Sequence, residues 1–129
     1  MTLSERCRAW LTLARPPNLP TVPGDPLAGL CLAGAFDPWK GLWTGLAALG
    51  LYLTGLLLND VADRAIDARE RPDRPIPSGQ VAVRAATLAG ALAALAGLLA
   101  AAQAGVYTLA AGGLVLMLVL TYTFATRRG

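Results

Sequence analysis

The sequence predicts an all-α, polytopic membrane protein with four transmembrane spans, and three observations predict it. Of 129 residues, 55% are hydrophobic and only 15% charged, and the mean hydropathy is +0.52, the profile of a chain that dissolves in lipid. Ala85 to Thr126 contains 42 consecutive residues without Asp, Glu, Lys or Arg, about twice the roughly 20 that one helix needs to cross a bilayer. The cations are segregated: with four spans, Arg6, Arg8, Arg15, Arg64, Arg69, Arg71, Arg74, Arg84, Arg127 and Arg128 fall on one side and Lys40 alone on the other. That asymmetry is what the positive-inside rule expects when both termini and the central loop are cytoplasmic.

The elements follow in order. A first span over about 17–36 is irregular at its start, because "RPPNLPTVPGDP" carries five prolines that break or distort a helix. The uncharged run Gly41 to Leu58 makes a second span over about 39–60. The long uncharged run divides at Gln103, Ala104 and Gly105 into spans over about 84–103 and 106–125. In the third, Ala85, Ala89, Ala93, Gly97, Ala101 and Gly105 recur every four residues, a small-residue stripe against which a neighbouring helix backbone can approach. Trp39, Trp43, Tyr107 and Tyr122 stand near span ends, as an aromatic belt would. All 129 residues read as one membrane domain.

Composition excludes several function classes. With no histidine, Ser-His-Asp and Cys-His catalysis are out of reach. The net charge of +3 is explained by arginines facing anionic lipid headgroups, so no nucleic-acid partner is implied. Cys7 and Cys31 show neither a disulfide framework nor metal-ligand spacing, and read as small apolar filler.

One segment resists the structural reading. "LLLNDVADRAIDARERPDRPIPSGQ", Leu56 to Gln80, runs an apolar helix into Asn59, Asp60, Asp63 and Asp67. At about 100° per residue the three carboxylates of a continuous helix share an arc of about 60°, with Asn59 one turn before Asp63. Like charges stacked at a helix C-terminus repel one another and the partial negative charge of the helix end. Two kinds of cation can offset this. Five acids and five arginines between Asn59 and Arg84 can form a neutral, salt-bridged interfacial loop. Alternatively Mg²⁺ sits on the carboxylate face, held by one or two carboxylates, waters and phosphate oxygens of a substrate, with arginines on the remaining phosphate charge.

"NDVADRAID" fits the N-D-x-x-D-x-x-x-D motif of the UbiA superfamily of intramembrane aromatic prenyltransferases at every specified position, and "RPDRPIPSGQV" resembles the R-P-x-x-x-G stretch that follows it, through Arg74, Pro75 and Gly79. "RPPNLP" and "TYTFATRR" resemble the start of that family's first helix and the end of its fourth, so the resemblance runs from about Arg15 to Arg128. It implies the first half of a larger bundle in which Mg²⁺ and the diphosphate of a polyprenyl donor are held by two Asp-rich motifs. Here Asn59, Asp60, Asp63 and Asp67 would be the metal ligands, the three aspartates the catalytic groups, and Arg64, Arg74, Arg15 and Asn18 substrate contacts. Diphosphate departure would leave an allylic cation for an aromatic or lipid-like acceptor to capture; Tyr52 is a candidate to stabilise it, with core packing as its plainer role. Nothing after Asp73 is acidic, so the second motif is missing; the chain reads as an N-terminal part that pairs with a second half-bundle or belongs to a longer polypeptide. Two rival readings remain: a small non-enzymatic membrane scaffold or assembly protein, and a CDP-alcohol phosphotransferase. The latter's D-x-x-D-G-x-x-A-R motif meets Arg64 where glycine is required.

Overall fold

The computed structural model describes residues 2–14, 22–32, 34 and 37–125. They form helices α1 (Leu3–Ala14), α2 (Gly24–Leu32), α3 (Pro38–Ala62), α4 (Arg64–Glu70), α5 (Val83–Ala104) and α6 (Val106–Ala125), with no strand among them. The all-α expectation is met. Three helices are long and apolar enough to cross a membrane, at Pro38–Ala62, Val83–Ala104 and Val106–Phe124. The expected span over 17–36 is described only in part, as a turn at Val22 and Pro23 followed by the nine residues of α2. At about 1.5 Å per residue α2 is roughly 14 Å long, so these nine residues cannot cross a bilayer alone.

α3 begins where the sequence lets it. Pro38 occupies the first turn, where its missing N–H is not needed, and Asp37 precedes it in extended backbone. α3 and α5 run antiparallel along their length: Trp39 Nε1 donates to the Gln103 carbonyl at one end (3.2 Å), and Leu58 packs over Gly90 at the other. Between these points the backbones nearly touch at Gly50 and Gly97. Lipid offers no hydrophobic drive to bring helices together, so such close dispersion contacts hold the pair. α6 returns beside both, with Gly112 over Ala101 and Gly55 beside Val119. Its far side, including Leu114 and Met117, is exposed.

The small-residue face of α5 differs from the one expected. The buried members are Ala86, Gly90, Gly97, Ala100, Ala101 and Ala104, while Ala85, Ala89 and Ala93 are only half-buried. A strict four-residue repeat drifts by about 40° at each step around a helix of 3.6 residues per turn. The contact therefore follows mixed spacings of three and four and abandons the stripe at its N-terminal end.

Thr54 adds a polar tie. Its buried hydroxyl lies 2.9 Å from the Gly50 carbonyl within α3 and 3.1 Å from the Gly90 carbonyl of α5. Thr54→Val keeps the shape and removes the donor, so it is expected to lower stability by about 1 kcal/mol, within the range for interhelical hydrogen bonds in membranes. An SDS-unfolding titration of the two proteins in mixed micelles measures this.

A second apolar cluster closes the Asp-rich end of the bundle. Ala9 and Leu13 of α1 pack with Leu57 and Val61 of α3, Ile76 and Val81 of the connecting segment, and Ala86 of α5. This cluster fixes the loop that follows the acidic motif.

Candidate functional site

The acidic motif straddles a break in the helix. α3 ends at Ala62, and Asp63 adopts φ −89°, ψ 4° before α4 starts at Arg64. The single straight helix expected through Asp67 is thus replaced by two. Beside the break, Arg64 Nη1 donates to the Val61 carbonyl at 2.7 Å. The backbone bonds Asp63 N to Asn59 O (2.9 Å) and Asp67 N to Asp63 O (2.8 Å) persist across the break, so it is a kink and not a separation.

The motif's side chains are graded in burial. Asp60 and Asp67 are buried, Asn59 and Asp63 half-buried. Two arginines reach them. Arg74 Nη2 donates to Asp60 Oδ2 at 2.7 Å, with the two side chains 18% and 6% exposed. Arg71 Nη2 donates to Asp67 Oδ1 at 2.8 Å, but the arginine is 58% exposed. Solvent screens the second pair far more than the first. The arginine reading of the segment is therefore realised at both buried acids, and Arg74 is the basic residue brought furthest in among the described residues.

The loop explains how. Pro75 and Ile76 are buried, and the Pro75 carbonyl accepts from Val81 N (3.0 Å) and from Ser78 Oγ (3.3 Å). Ser78 N closes on Arg74 O at 3.0 Å, and Gly79 sits at φ +84°, a left-handed conformation open to glycine at little cost. The R-P-x-x-x-G spacing is thus a folded turn that plants Ile76 and Val81 in the core and turns Arg74 back onto Asp60. Arg64 is exposed and spends its guanidinium on Val61. Arg15 and Asn18 lie outside the described residues.

Beside this end lies an apolar cleft between α3 and α6. Two adjoining cavities of about 430 Å³ each share Leu51, Tyr52, Val115 and Val119; one continues to Asn59, Tyr122 and Thr123, the other to Pro26, Thr44 and Gly112. Tyr52 lines both. The α6 wall was not legible in sequence, because every turn of α6 is apolar and no face stands out; Tyr122, expected as a belt residue, lines the cleft.

The donor set suits a hard cation only in part. Asn59, Asp60, Asp63 and Asp67 offer oxygen atoms of the kind Mg²⁺ prefers. Among the described residues, however, no group of three or more His, Cys, Asp or Glu side chains is gathered to hold a metal ion.

The profile of the UbiA prenyltransferase family matches residues 19–129. The chain belongs to that family. A digeranylgeranylglyceryl phosphate synthase from Methanopyrus kandleri is 38% identical to this UbiA-family chain over 81 residues, covering 63% of it and 30% of the relative. A 4-hydroxybenzoate octaprenyltransferase from Albidiferax ferrireducens is 33% identical over 100 residues, covering 74% and 33%. A solved structure concerned with digeranylgeranylglyceryl phosphate synthase in membranes superposes with a TM-score of 0.83 at 25% identity, over 92% of this chain and 43% of that one. The UbiA-family chain therefore spans about a third of the length of these curated relatives. Membership and three apolar helices make it an integral membrane protein.

Proposed function

We infer that this chain supplies the diphosphate-binding end of a prenyltransferase, which moves a polyprenyl group from a polyprenyl diphosphate to an aromatic or lipid-like acceptor. One observation carries the reading: Asp60 is paired with the inward-turned Arg74 beside Asn59, the residue at which an apolar cleft opens. A prenyl diphosphate has that polarity, with a dianionic or trianionic head on a hydrocarbon chain. Its chain lies along Leu51, Tyr52, Val115 and Val119, and its head at Asn59, Asp60, Asp63 and Asp67. The names of the relatives span both acceptor classes.

Asn59, Asp60, Asp63 and Asp67 would hold Mg²⁺, which when bound neutralises the departing diphosphate. Arg74 and Arg64 meet phosphate oxygens and stabilise the charge that grows as the C–O bond breaks, the electron pair leaving with the diphosphate. Arg15 and Asn18, which lie outside the described residues, remain candidates for substrate contact through the family resemblance alone. The Tyr52 ring faces the allylic cation. The acceptor nucleophile then forms the new bond and loses its proton. The partition of ten arginines against Lys40 puts this end and both termini in the cytoplasm. A complementary half-bundle contributes further acidic ligands, since the chain carries none after Asp73.

The test is equilibrium binding of a fluorescent prenyl diphosphate to the protein in bilayer discs at millimolar Mg²⁺. Asp63→Ala and Asp67→Ala are each expected to weaken binding at least about tenfold, or about 1.4 kcal/mol, and chelation to abolish it. Unchanged affinity in both variants overturns the site. Label transfer from a CDP-activated lipid in its place establishes the phosphotransferase reading, and a co-purifying membrane partner with no donor bound establishes the scaffold.

A further inference from the structure

α1 has three distinct sides. At about 100° per residue, Ala9 and Leu13 face the core cluster. Glu5, Arg8 and Thr12 line a polar cavity with Ser78, Gly79 and Gln80. Leu3, Arg6, Cys7, Trp10, Leu11 and Ala14 face a separate groove of about 810 Å³, whose other wall is Leu53 and Leu57 of α3 and Ala89 and Ala93 of α5. That groove is nearly twice as large as either cavity of the α3–α6 cleft. A twelve-residue helix with one polar and one apolar side, laid across the end of a membrane bundle, is an interfacial helix.

The groove is apolar apart from one cation. Arg6 stands on the α1 wall at the bundle's end, exposed, and has no ion pair among the described residues. Leu53 and Ala93 lie one helical turn deeper than Leu57 and Ala89, so the floor descends along the bundle towards its middle. Trp10 is half-buried, lining the groove while packing on the core cluster, and its amphipathic ring suits a membrane interface. A charged head at the surface above a descending hydrocarbon floor matches one class of molecule that is always present around this chain.

We propose that the groove under α1 binds an anionic phospholipid of the bilayer, its phosphate on Arg6 and an acyl chain on Leu53, Leu57, Ala89 and Ala93. Charge complementarity selects the lipid: a zwitterionic head carries its own cation, which offsets the attraction, whereas an anionic head leaves a net charge for Arg6. This site is independent of the prenyl diphosphate reading, since it lies on another face of α3 from Asn59 and shares no lining residue with the α3–α6 cleft.

Trp10 is a built-in reporter. The full chain carrying Trp39→Phe and Trp43→Phe is placed in phosphatidylcholine vesicles containing a small mole fraction of dibrominated phosphatidylglycerol or dibrominated phosphatidylcholine. Quenching of Trp10 is expected to show about a fivefold preference for the anionic lipid, the ratio one guanidinium supplies at such a surface. Arg6→Gln removes that preference, while Arg8→Gln, on the opposite side of α1, keeps it. Ala93→Leu fills the groove without changing charge and lowers quenching by both lipids. Equal quenching by the two lipids in the parent chain overturns the proposal. So does equal sensitivity to Arg6→Gln and Arg8→Gln, which marks a diffuse surface potential, or full quenching in Ala93→Leu, which marks contact with lipid outside the groove.

Discussion

Gly50→Leu is expected to unseat α5 from α3 and leave no folded bundle in detergent, the largest effect of any single substitution in the span region. A Cβ at Gly50 would stand 2.8 Å from Gly97 Cα and 2.9 Å from the Ala93 carbonyl oxygen. Both are backbone atoms, so no side-chain rotation relieves the clash and the helices must move apart. Overpacking of a tight contact costs about 1–3 kcal/mol even where side chains can yield; here Gly50→Ala belongs at the upper end of that range and Gly50→Leu above it. The consequence reaches the site, because α3 carries Asn59 and Asp60 while the turn holding Arg74 is anchored partly on Ala86 of α5. Gly113→Ala is the matched control: nothing lies within 4 Å of its Cβ, and no loss is expected. The midpoint SDS fraction for loss of helical circular dichroism ranks the three proteins. A Gly50→Ala protein as stable as Gly113→Ala would mean that α3 and α5 are held by something other than this contact.

Arg74→Ala is expected to destabilise the Asp-rich end by about 3 kcal/mol, and Arg71→Ala by no more than about 1 kcal/mol. Both remove a hydrogen bond of nearly equal length, 2.7 and 2.8 Å, so distance does not separate them. Burial does. Both acids are buried, so the difference lies with the arginines: water already surrounds the 58%-exposed Arg71 and can take its place beside Asp67, whereas Arg74 is 18% exposed and its removal leaves the Asp60 charge in a poorly solvating environment. Asp60→Asn in the Arg74→Ala background should restore part of the loss, because the amide carries no charge to compensate; a double-mutant cycle isolates the pair. Equal losses from Arg71→Ala and Arg74→Ala would show that the two pairs experience the same solvent. Diphosphate binding should fall in Arg74→Ala as well, and by more than stability alone accounts for when measured well below the unfolding midpoint.

The legible part of this protein was the part written in local rules. The run from Ala85 to Thr126 and the punctuation at Gly105 specify two apolar helices, since a backbone in lipid must satisfy its own hydrogen bonds within each segment. The turn expected over Gln103, Ala104 and Gly105 is shorter in the structure, where α5 runs through Ala104 and Gly105 alone separates it from α6. The acidic motif could likewise be read, together with the presence of arginines to offset it, because charge cannot enter the bilayer without a partner. The kink at Asp63 could not. It is accompanied by the Arg64 guanidinium on the Val61 carbonyl, a contact that no local sequence rule specifies.

By itself the sequence determined that this chain is helical, membrane-bound and acidic at one bundle end, because hydropathy and charge exclusion act residue by residue along the chain. Only the tertiary structure decided that Asp60 meets Arg74 and Asp67 meets Arg71, that α5 turns Ala86 and Gly90 inward in place of Ala85 and Ala89, and that α1 lies over a lipid-sized groove. Those outcomes rest on where a chain reversal at Pro75 and Gly79 delivers a side chain, and on a helical pitch of 3.6 that no four-residue repeat can follow. They are properties of packed backbones, which no single stretch of residues contains.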